Sequence, residues 1–578
     1  MLSRFVAFTS LGRTALPNLY DLFAFALIFA IFALIAHASH GVTLPLAAPE
    51  ATSVSLDYGA LPYYALRTAL RMFAAIAASL LFTFVYATLA AKSRRAALLL
   101  VPLLDVLQSV PILGFLSFTV TFFLGLFPGS TLGAECAAIF AIFTSQAWNM
   151  AFSFYQSLRS VPRDLTEAAR SLGLSSWQKF WQLETPFAMP GLIWNMMMSM
   201  SGGWFFVVAS EAITVGDTSI KLPGIGSYLA LAIEEKRVDA VLAAILTMLV
   251  VIVIYDQLLF RPLVAFSARF RVELSAGEVQ EKSFAGQLFA RTRWLRAALR
   301  PIGQLLHAVS LRRMELPIRS SGRKPASLAL SRTVDALWLA VIGAGAAWAV
   351  LQIASYMRQE LSMADFWQSV LYTLITMARV AVLMTFATLV WVPAGIWIGL
   401  RPRLAEKVQP FAQFLAAFPA NVIFPVAVAV ILRFSLNPDI WLSFLIVFGT
   451  QWYILFNVIA GASAFPNDLK EAAAAFRISG LDWWVNVILP GIFPYYVTGA
   501  LTASGGSWNA AIVAEYVKWG SDTVSAHGIG AYISQATEAG DYPRIVLGVA
   551  VMSAFVIIFN RVLWRPLYEL AETRLRLD

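Results

Sequence analysis

The stretch EAARSLGLSSWQKFWQLETPFAMP, Glu167 to Pro190, decides how this chain is read, because it returns as EAAAAFRISGLDWWVNVILPGIFP, Glu471 to Pro494. The offset, 471 − 167 = 304, holds without a gap from Trp148/Trp452 to Leu263/Leu567, through pairs such as Pro186/Pro490, Trp204/Trp508, Glu211/Glu515, Gly224/Gly528, Gly226/Gly530 and Arg261/Arg565. Upstream it becomes 308, as in Arg71/Arg379, Pro102/Pro410 and Pro111/Pro419, so a four-residue indel separates two copies of one unit. The chain is a tandem duplication.

Composition fixes the solvent. Of 578 residues 59% are hydrophobic and 13% charged, with a mean hydropathy of +0.72, against roughly a quarter charged in soluble domains. The net charge of +9 does not read as a nucleic-acid footprint, since the basic residues cluster between apolar spans as cytoplasmic loops do. A single cysteine, Cys136, excludes an internal disulfide, and the four histidines have no metal-binding spacing.

Taken in order, the first copy places helices near residues 22–36, 63–91, 98 onward, 137–158, 191–212 and 238–260, with Pro102 and Pro111 bending the third. The first of these reads as an uncleaved helix, not a signal peptide. The second copy repeats the plan near 333–353, 367–400, 405–433, 440–461, 495–515 and 542–564. Each span has about 20 residues or more, enough for roughly 30 Å of hydrocarbon. Basic residues at Lys92 to Arg95, Arg159 to Lys179 and Arg401 to Lys407 mark the inner turns, and basic-free segments such as 127–135 and 437–439 the outer ones. The expected fold is therefore all-α: a polytopic membrane protein of about 12 transmembrane helices in two six-helix repeats. Both ends lie in the cytoplasm, and an even helix number per copy gives a pseudo-twofold axis along the membrane normal. The domains read as a first repeat 1–263 (core about 66–263), a basic cytoplasmic linker 264–331, and a second repeat 332–578 (core about 371–567). From Arg261 to Arg332 there are 14 Lys or Arg. Within the linker Phe284, Leu288, Leu295 and Leu299 recur at helical spacing beside Arg291, Arg293, Arg296 and Arg300. That pattern reads either as a helix on the anionic inner leaflet or as a solvated linker.

The repeated stretch itself predicts a helix-turn-helix knob. Asp164 caps a short helix through Leu172, Gly173 permits a sharp bend, Ser175 caps a second helix to Leu183, and Pro186 ends the excursion. Glu167 with Ala168 and Ala169 gives a charged end and two small side chains suited to a partner's groove. These residues resemble the EAA motif of the membrane subunits of type I ATP-binding-cassette importers: Glu167-Ala168-Ala169, Gly173, Leu183 and Pro186 in one copy, and Glu471-Ala472-Ala473, Val487, Leu489 and Pro490 in the other. The segments Trp204 to Glu211, Gly224-Ile225-Gly226 and Arg261-Pro262-Leu263, with their twins, look most like the nitrate/sulfonate/taurine branch.

The resemblance implies that both loops couple to ATPases: two such subunits on the cytoplasmic side, a substrate-binding protein outside, ATP on the partners, and a bacterial inner-membrane location. Its implied cargo is a small oxyanion. No G-x-x-x-x-G-K-[ST] motif occurs, so the chain cannot be its own ATPase of that kind; no cofactor is expected in this chain. One position departs from the pattern. The equivalent of Gly173 is Arg477, where a left-handed bend is expensive, so the second knob is expected either to differ in shape or to pair Arg477 with an acidic ATPase residue.

Charges within spans cost about 2.5–3.5 kcal/mol on insertion scales and invite roles. Arg71 and Arg379 enter the outer parts of their helices, and Glu211 and Glu515 lie toward outer ends. The expectation is structural ion pairs near an outer gate; the alternative is that the arginines bind an anion in transit. Asp105 and its equivalent Gln413 either line the path or make polar contacts near the inner turn. Met196, Met197, Met198 and Met200 read as adaptable packing. An ion-gradient-driven secondary transporter also fits a duplication with intramembrane charge but leaves both EAA loops unexplained, and no residue cluster makes a catalytic set.

Overall fold

The computed structural model describes residues 22, 54–215, 218–267, 270, 291–292, 294–314 and 328–575; the predicted first helix beyond Leu22, and Phe284 and Leu288 of the linker, lie outside them. In the first copy the helices are α1 (Leu61–Lys92), α2 (Arg94–Ser109), α3 (Ile112–Leu126), α4 (Thr131–Arg159), α5 (Arg163–Ser171), α6 (Ser176–Glu211), α7 (Ile225–Glu234) and α8 (Val238–Ser267), followed by the linker helix α9 (Trp294–Leu311). The second copy has α10 (Leu328–Glu360), α11 (Met363–Gly399), α12 (Pro402–Ala417), α13 (Phe424–Arg433), α14 (Pro438–Ser463), α15 (Asn467–Ala475), α16 (Gly480–Ala514), α17 (Ile529–Ala539) and α18 (Tyr542–Ala571).

The span count differs from the expected twelve. Among the described residues seven helices are long and apolar enough to cross a membrane (α1, α6, α8, α11, α14, α16 and α18), or eight if α12 and α13, bent by 69°, form one span. Proline accounts for part of the difference. Pro111 holds extended backbone between α2 and α3, splitting the predicted third helix, and Pro419 does the same between α12 and α13; neither has an N–H to carry the ladder onward. The 29-residue α4 carries Glu135, Gln146 and Asn149 and buries one face in the protein; it is long enough to cross a membrane but is not among the helices apolar enough to be counted.

Four prolines are accommodated in another way. Thr185, Arg261, Leu489 and Arg565, each directly before a proline, donate their N–H groups to the carbonyls five residues back, at Phe180, Asp256, Trp484 and Asn560. Widening the helix by one residue makes room for the proline ring, which would crowd a carbonyl in a regular turn. All four sites obey the 304-residue offset.

The chain forms two compact units that do not follow the repeat. One contains residues 161–190 and 255–316, with α5, the start of α6, the end of α8, and α9; the other contains 38–160, 191–254 and 317–578. In the larger unit the copies share one core: Ile112, Leu116, Val120 and Ala138 of the first cluster with Trp508, Ile529 and Ile533 of the second. Across the same seam the Ile112 N–H donates to Asn509 Oδ1 at 2.9 Å, Asn421 Nδ2 donates to the Phe205 carbonyl at 3.0 Å, and Trp194 stacks on Phe456 with centroids 5.5 Å apart. The all-α expectation omits two antiparallel hairpins. In the first copy β1 (Ala212–Val215) pairs with β2 (Thr218–Lys221); in the second β3 (Tyr516–Trp519) pairs with β4 (Asp522–Ser525). Each hairpin follows a long span and turns the chain back over the glutamate at that span's end, so that Leu222 N bonds the Glu211 carbonyl and Ala526 N the Glu515 carbonyl, both at 2.8 Å.

Candidate functional site

Each EAA loop is a short helix closed by a left-handed turn. In the smaller unit α5 starts two residues earlier than predicted, capped at Pro162, so Asp164 sits in the first turn instead of capping it, where its charge still favours the helix dipole. Gly173 has φ 66°; its N–H bonds the Arg170 carbonyl at 2.9 Å and the Leu174 N–H bonds the Ala169 carbonyl at 3.1 Å. This pair of bonds is a Schellman closure. Ser175 then caps the next helix in a capping box with Gln178.

The second loop has the same turn, contrary to the expectation of a different shape. Arg477 adopts φ 53°, with Arg477 N on Ala474 O at 3.0 Å and Ile478 N on Ala473 O at 2.9 Å. The two bonds hold a conformation that disfavours an L side chain by roughly 1–2 kcal/mol. The motif's small side chains also need correction. Glu167, Ala168, Glu471 and Ala472 are exposed, but Ala169 and Ala473 are buried against the chain itself. Each is the residue whose carbonyl accepts the outer Schellman bond, from Leu174 N and Ile478 N. What each loop offers outward is a large apolar side chain to which the sequence reading gave no docking role: Leu172, 76% exposed, and its equivalent Phe476, 79% exposed. Both stand directly before the left-handed residue.

The intramembrane charges meet in two clusters, both in the larger unit. In the first, Arg71 Nη1 lies 2.6 Å from Glu211 Oε1 and also donates to the Pro223 carbonyl at 2.9 Å, while Nε and Nη2 donate to the two oxygens of Glu135 at 2.6 and 2.7 Å. Arg67 Nη2 pairs with Glu135 as well. Glu211 accepts further bonds from Thr68 Oγ1 and Gly226 N, each at 2.7 Å, and the Ile225 N–H donates to Thr68 Oγ1 at 3.0 Å. All four charged residues are buried. Two cations balance two carboxylates, the condition under which buried charge is tolerable. The glycines belong to the same design: a Cβ on Gly224 would lie 2.3 Å from the Glu211 carboxyl, and one on Gly226 would lie 2.4 Å from the Val208 carbonyl.

The second cluster keeps the centre and opens the rim. Arg379 Nη1 pairs with Glu515 Oε1 at 2.5 Å, Thr376 Oγ1 and Gly530 N each donate to Glu515 at 2.8 Å, and Ile529 N donates to Thr376 at 3.1 Å. Ile375 stands where Arg67 stands in the first copy (375 − 67 = 308), and Asp439 where Glu135 does (439 − 135 = 304). Asp439 is 3.6 Å from Arg379 and pairs with the exposed His527, whose carbonyl accepts from Arg379 Nη2 at 3.1 Å.

The hairpins carry a further polar seam outside the spans. Lys236 Nζ reaches Asp522 Oδ2 across the copies at 2.7 Å, and Lys221 Nζ reaches Glu234 at 2.6 Å. The equivalent Glu538 pairs with Lys518 and accepts from Tyr516 at 2.7 Å. Burial and the neighbouring Glu538 push the Tyr516 hydroxyl up to about 12. Burial alone would raise Glu538, but Lys518 and the Tyr516 hydroxyl outweigh it and hold its carboxyl below the usual range. Of the predicted path residues, Gln413 on α12 places Nε2 2.8 Å from Met197 Sδ across the copies, whereas the side chain of Asp105 lies outside those described. Ser201 and Tyr453 share a buried hydrogen bond at the same seam.

With this geometry stand two comparisons. The family of binding-protein-dependent transport system inner membrane components matches residues 83–261 and 391–576, more than half of the chain and once in each copy. The chain belongs to this family. It is thus a permease, a membrane transport component and not an enzyme, and its two EAA loops are features general to such proteins. Over 204 residues the permease is 31% identical to the bicarbonate transport system permease protein CmpB of Synechococcus elongatus, covering 35% of this chain and 69% of that protein. Over 195 residues it is 28% identical to the nitrate import permease protein NrtB of Leptolyngbya laminosa, covering 34% and 65%. It is a multi-pass membrane protein built of two family domains.

Proposed function

We propose that this permease builds, in one chain, the whole membrane pathway of an ATP-driven importer for a small oxyanion of the bicarbonate, nitrate and sulfonate class. The observation that carries the reading is the pair of EAA loops with one shared turn geometry, each exposing a carboxylate and a large apolar tip. In the proposed arrangement both loops and both termini face the cytoplasm of a bacterial inner membrane. Leu172 and Phe476 each seat in a groove of one of two ATPase subunits, with Glu167 and Glu471 at the groove's edge. Truncating one such desolvated anchor is expected to cost about 2 kcal/mol or more of docking free energy. ATP on the partners drives the loops together, and an extracytoplasmic binding protein delivers the anion. The two arginine clusters serve as braces: every nitrogen of Arg71 already donates to protein oxygen, which leaves it engaged with protein and not with cargo.

The deciding measurement is copurification of the chain from its native membranes. An ATPase at two per chain, lost in the double variant Leu172→Asp and Phe476→Asp while the permease still elutes as a folded species, is the expected result. Proton- or sodium-driven uptake by the chain alone would establish the secondary-transporter reading instead. Thermal shift of the partner binding protein with bicarbonate, nitrate and alkanesulfonates sorts the cargo.

A further inference from the structure

The linker helix α9 is fastened to the first EAA loop. Carbonyls at and just beyond its C-terminus are bonded by two residues in the first turn of α6: Trp177 Nε1 donates to Val309 O at 2.8 Å, Gln178 Nε2 donates to Leu311 O at 2.7 Å, and the Trp177 backbone N–H donates to Met314 O at 3.2 Å. Gln178 is buried. In the second copy the equivalent of Trp177 is Leu481, an exposed side chain with no indole N–H to donate. Among the described residues the attachment is made by the first copy's loop.

The face that α9 presents has a definite chemistry. On a helical projection Arg300 and His307 lie on one side and Leu305 on the other. No acidic residue occurs from Lys282 to Met314. Arg300, Arg312 and Arg313 are exposed and make no ion pair among the described residues, and beside them Leu305, Leu311 and Met314 are exposed too. A cationic stripe next to exposed apolar side chains is the composition of a helix lying in a lipid headgroup layer. Trp177 and Gln178 belong to the first turn of α6, one of the helices long and apolar enough to cross a membrane.

We infer that α9 binds anionic lipid headgroups and holds the first EAA loop at the membrane surface through Trp177 and Gln178. This inference rests on the proposed orientation, in which the loop faces the leaflet that carries anionic lipid. Its occupant is a lipid surface: the apolar residues beside the arginines would be buried among acyl chains, and each basic residue near such a surface strengthens binding by a factor of about five.

The test needs no ATPase and so fails separately from the importer reading. The full chain is placed in vesicles of neutral phosphatidylcholine, or of phosphatidylcholine with about a third phosphatidylglycerol, and amide exchange is followed over 294–314. Exchange slowed by about tenfold or more in the anionic vesicles, reversed by raised salt, is expected. The loss of that protection in the variant Arg296→Glu, Arg300→Glu, Arg312→Glu and Arg313→Glu, with the spans still protected, completes the expected result. Equal exchange in both vesicles overturns the inference, and the salt series on the unaltered chain decides it even if the variant does not assemble. Protection that appears in neutral vesicles only when a purified ATPase subunit is added also overturns it, and assigns the helix to a protein surface.

Discussion

The two arginine clusters began as one site and now differ at the rim. Both keep an arginine on a glutamate, a threonine hydroxyl on the same carboxylate, and a glycine N–H on its second oxygen. Around that centre the first copy adds Arg67 and Glu135 and is sealed. The second substitutes Ile375 and Asp439 and lets His527, 72% exposed, and Asp439, with 41% of its side chain exposed, meet water. Where charge is fully buried it must be balanced inside the protein; where water reaches the rim, one cation fewer is tolerated. The difference separates what the turn geometry requires from what the surroundings permit.

The most damaging change should therefore be unequal between copies. Arg71→Met leaves Glu135 and Glu211 buried with less than their charge partner and is expected to destabilise by about 3–5 kcal/mol. Arg379→Met should cost less, since Asp439 keeps His527 and solvent. Thermal unfolding of the two purified variants checks the order, and equal losses would mean that the open rim does not relieve the charge imbalance. A charge exchange, Arg71→Glu with Glu211→Arg, is not expected to restore assembly. The carboxylate at 211 also accepts from Thr68 and Gly226, and a guanidinium in its place would face two donors.

The shared centre should respond equally. In Gly226→Ala the new methyl meets the Val208 carbonyl, and in Gly530→Ala it meets the Ala511 carbonyl at 2.3 Å. Each is expected to cost roughly 1–3 kcal/mol of overpacking, within error of the other, by the same unfolding assay. The rim can then be transplanted. Ile375→Arg alone adds a cation, at a half-buried position, beside one already paired, while Ile375→Arg with Asp439→Glu rebuilds the first copy's arrangement. A double-mutant cycle should show favourable coupling of about 0.5–3 kcal/mol, and coupling near zero would mean the rims differ for reasons other than charge balance.

Much of this was legible in the chain. Hydropathy and the 304-residue echo specify a duplicated helical membrane protein, and the EAA loops, the left-handed turn at Gly173 and the carboxylates Glu211 and Glu515 stand out by type and position. Glu135 and Thr68 did not, although their equivalents Asp439 and Thr376 keep the offsets, so asking which polar residues in spans have polar twins would have found them. The hairpins escaped because four-residue strands carry too little alternation to oppose a helical background, and with them went the reason for Gly224 and Gly226. The buried state of Ala169 and Ala473 is a tertiary fact: small residues read alike whether they are presented to a partner or packed inward.

The gentlest test concerns the two turns. Arg477 demonstrates that a bulky residue can hold the left-handed conformation when the Schellman bonds close around it, and a Cβ at Gly173 would meet nothing within 4 Å. Gly173→Arg should consequently keep the fold of the first loop, with a backbone penalty on the order of 1 kcal/mol, and should leave ATPase copurification and anion uptake intact. The penalty is partly offset in the unfolded chain, because arginine has less backbone freedom to lose than glycine, so the observed effect should fall below the bare conformational figure. Failure of the first loop to recruit its ATPase in this variant would mean that glycine there serves close approach of the partner and not the bend. In that event the two loops, alike in backbone, would have to differ in how they dock.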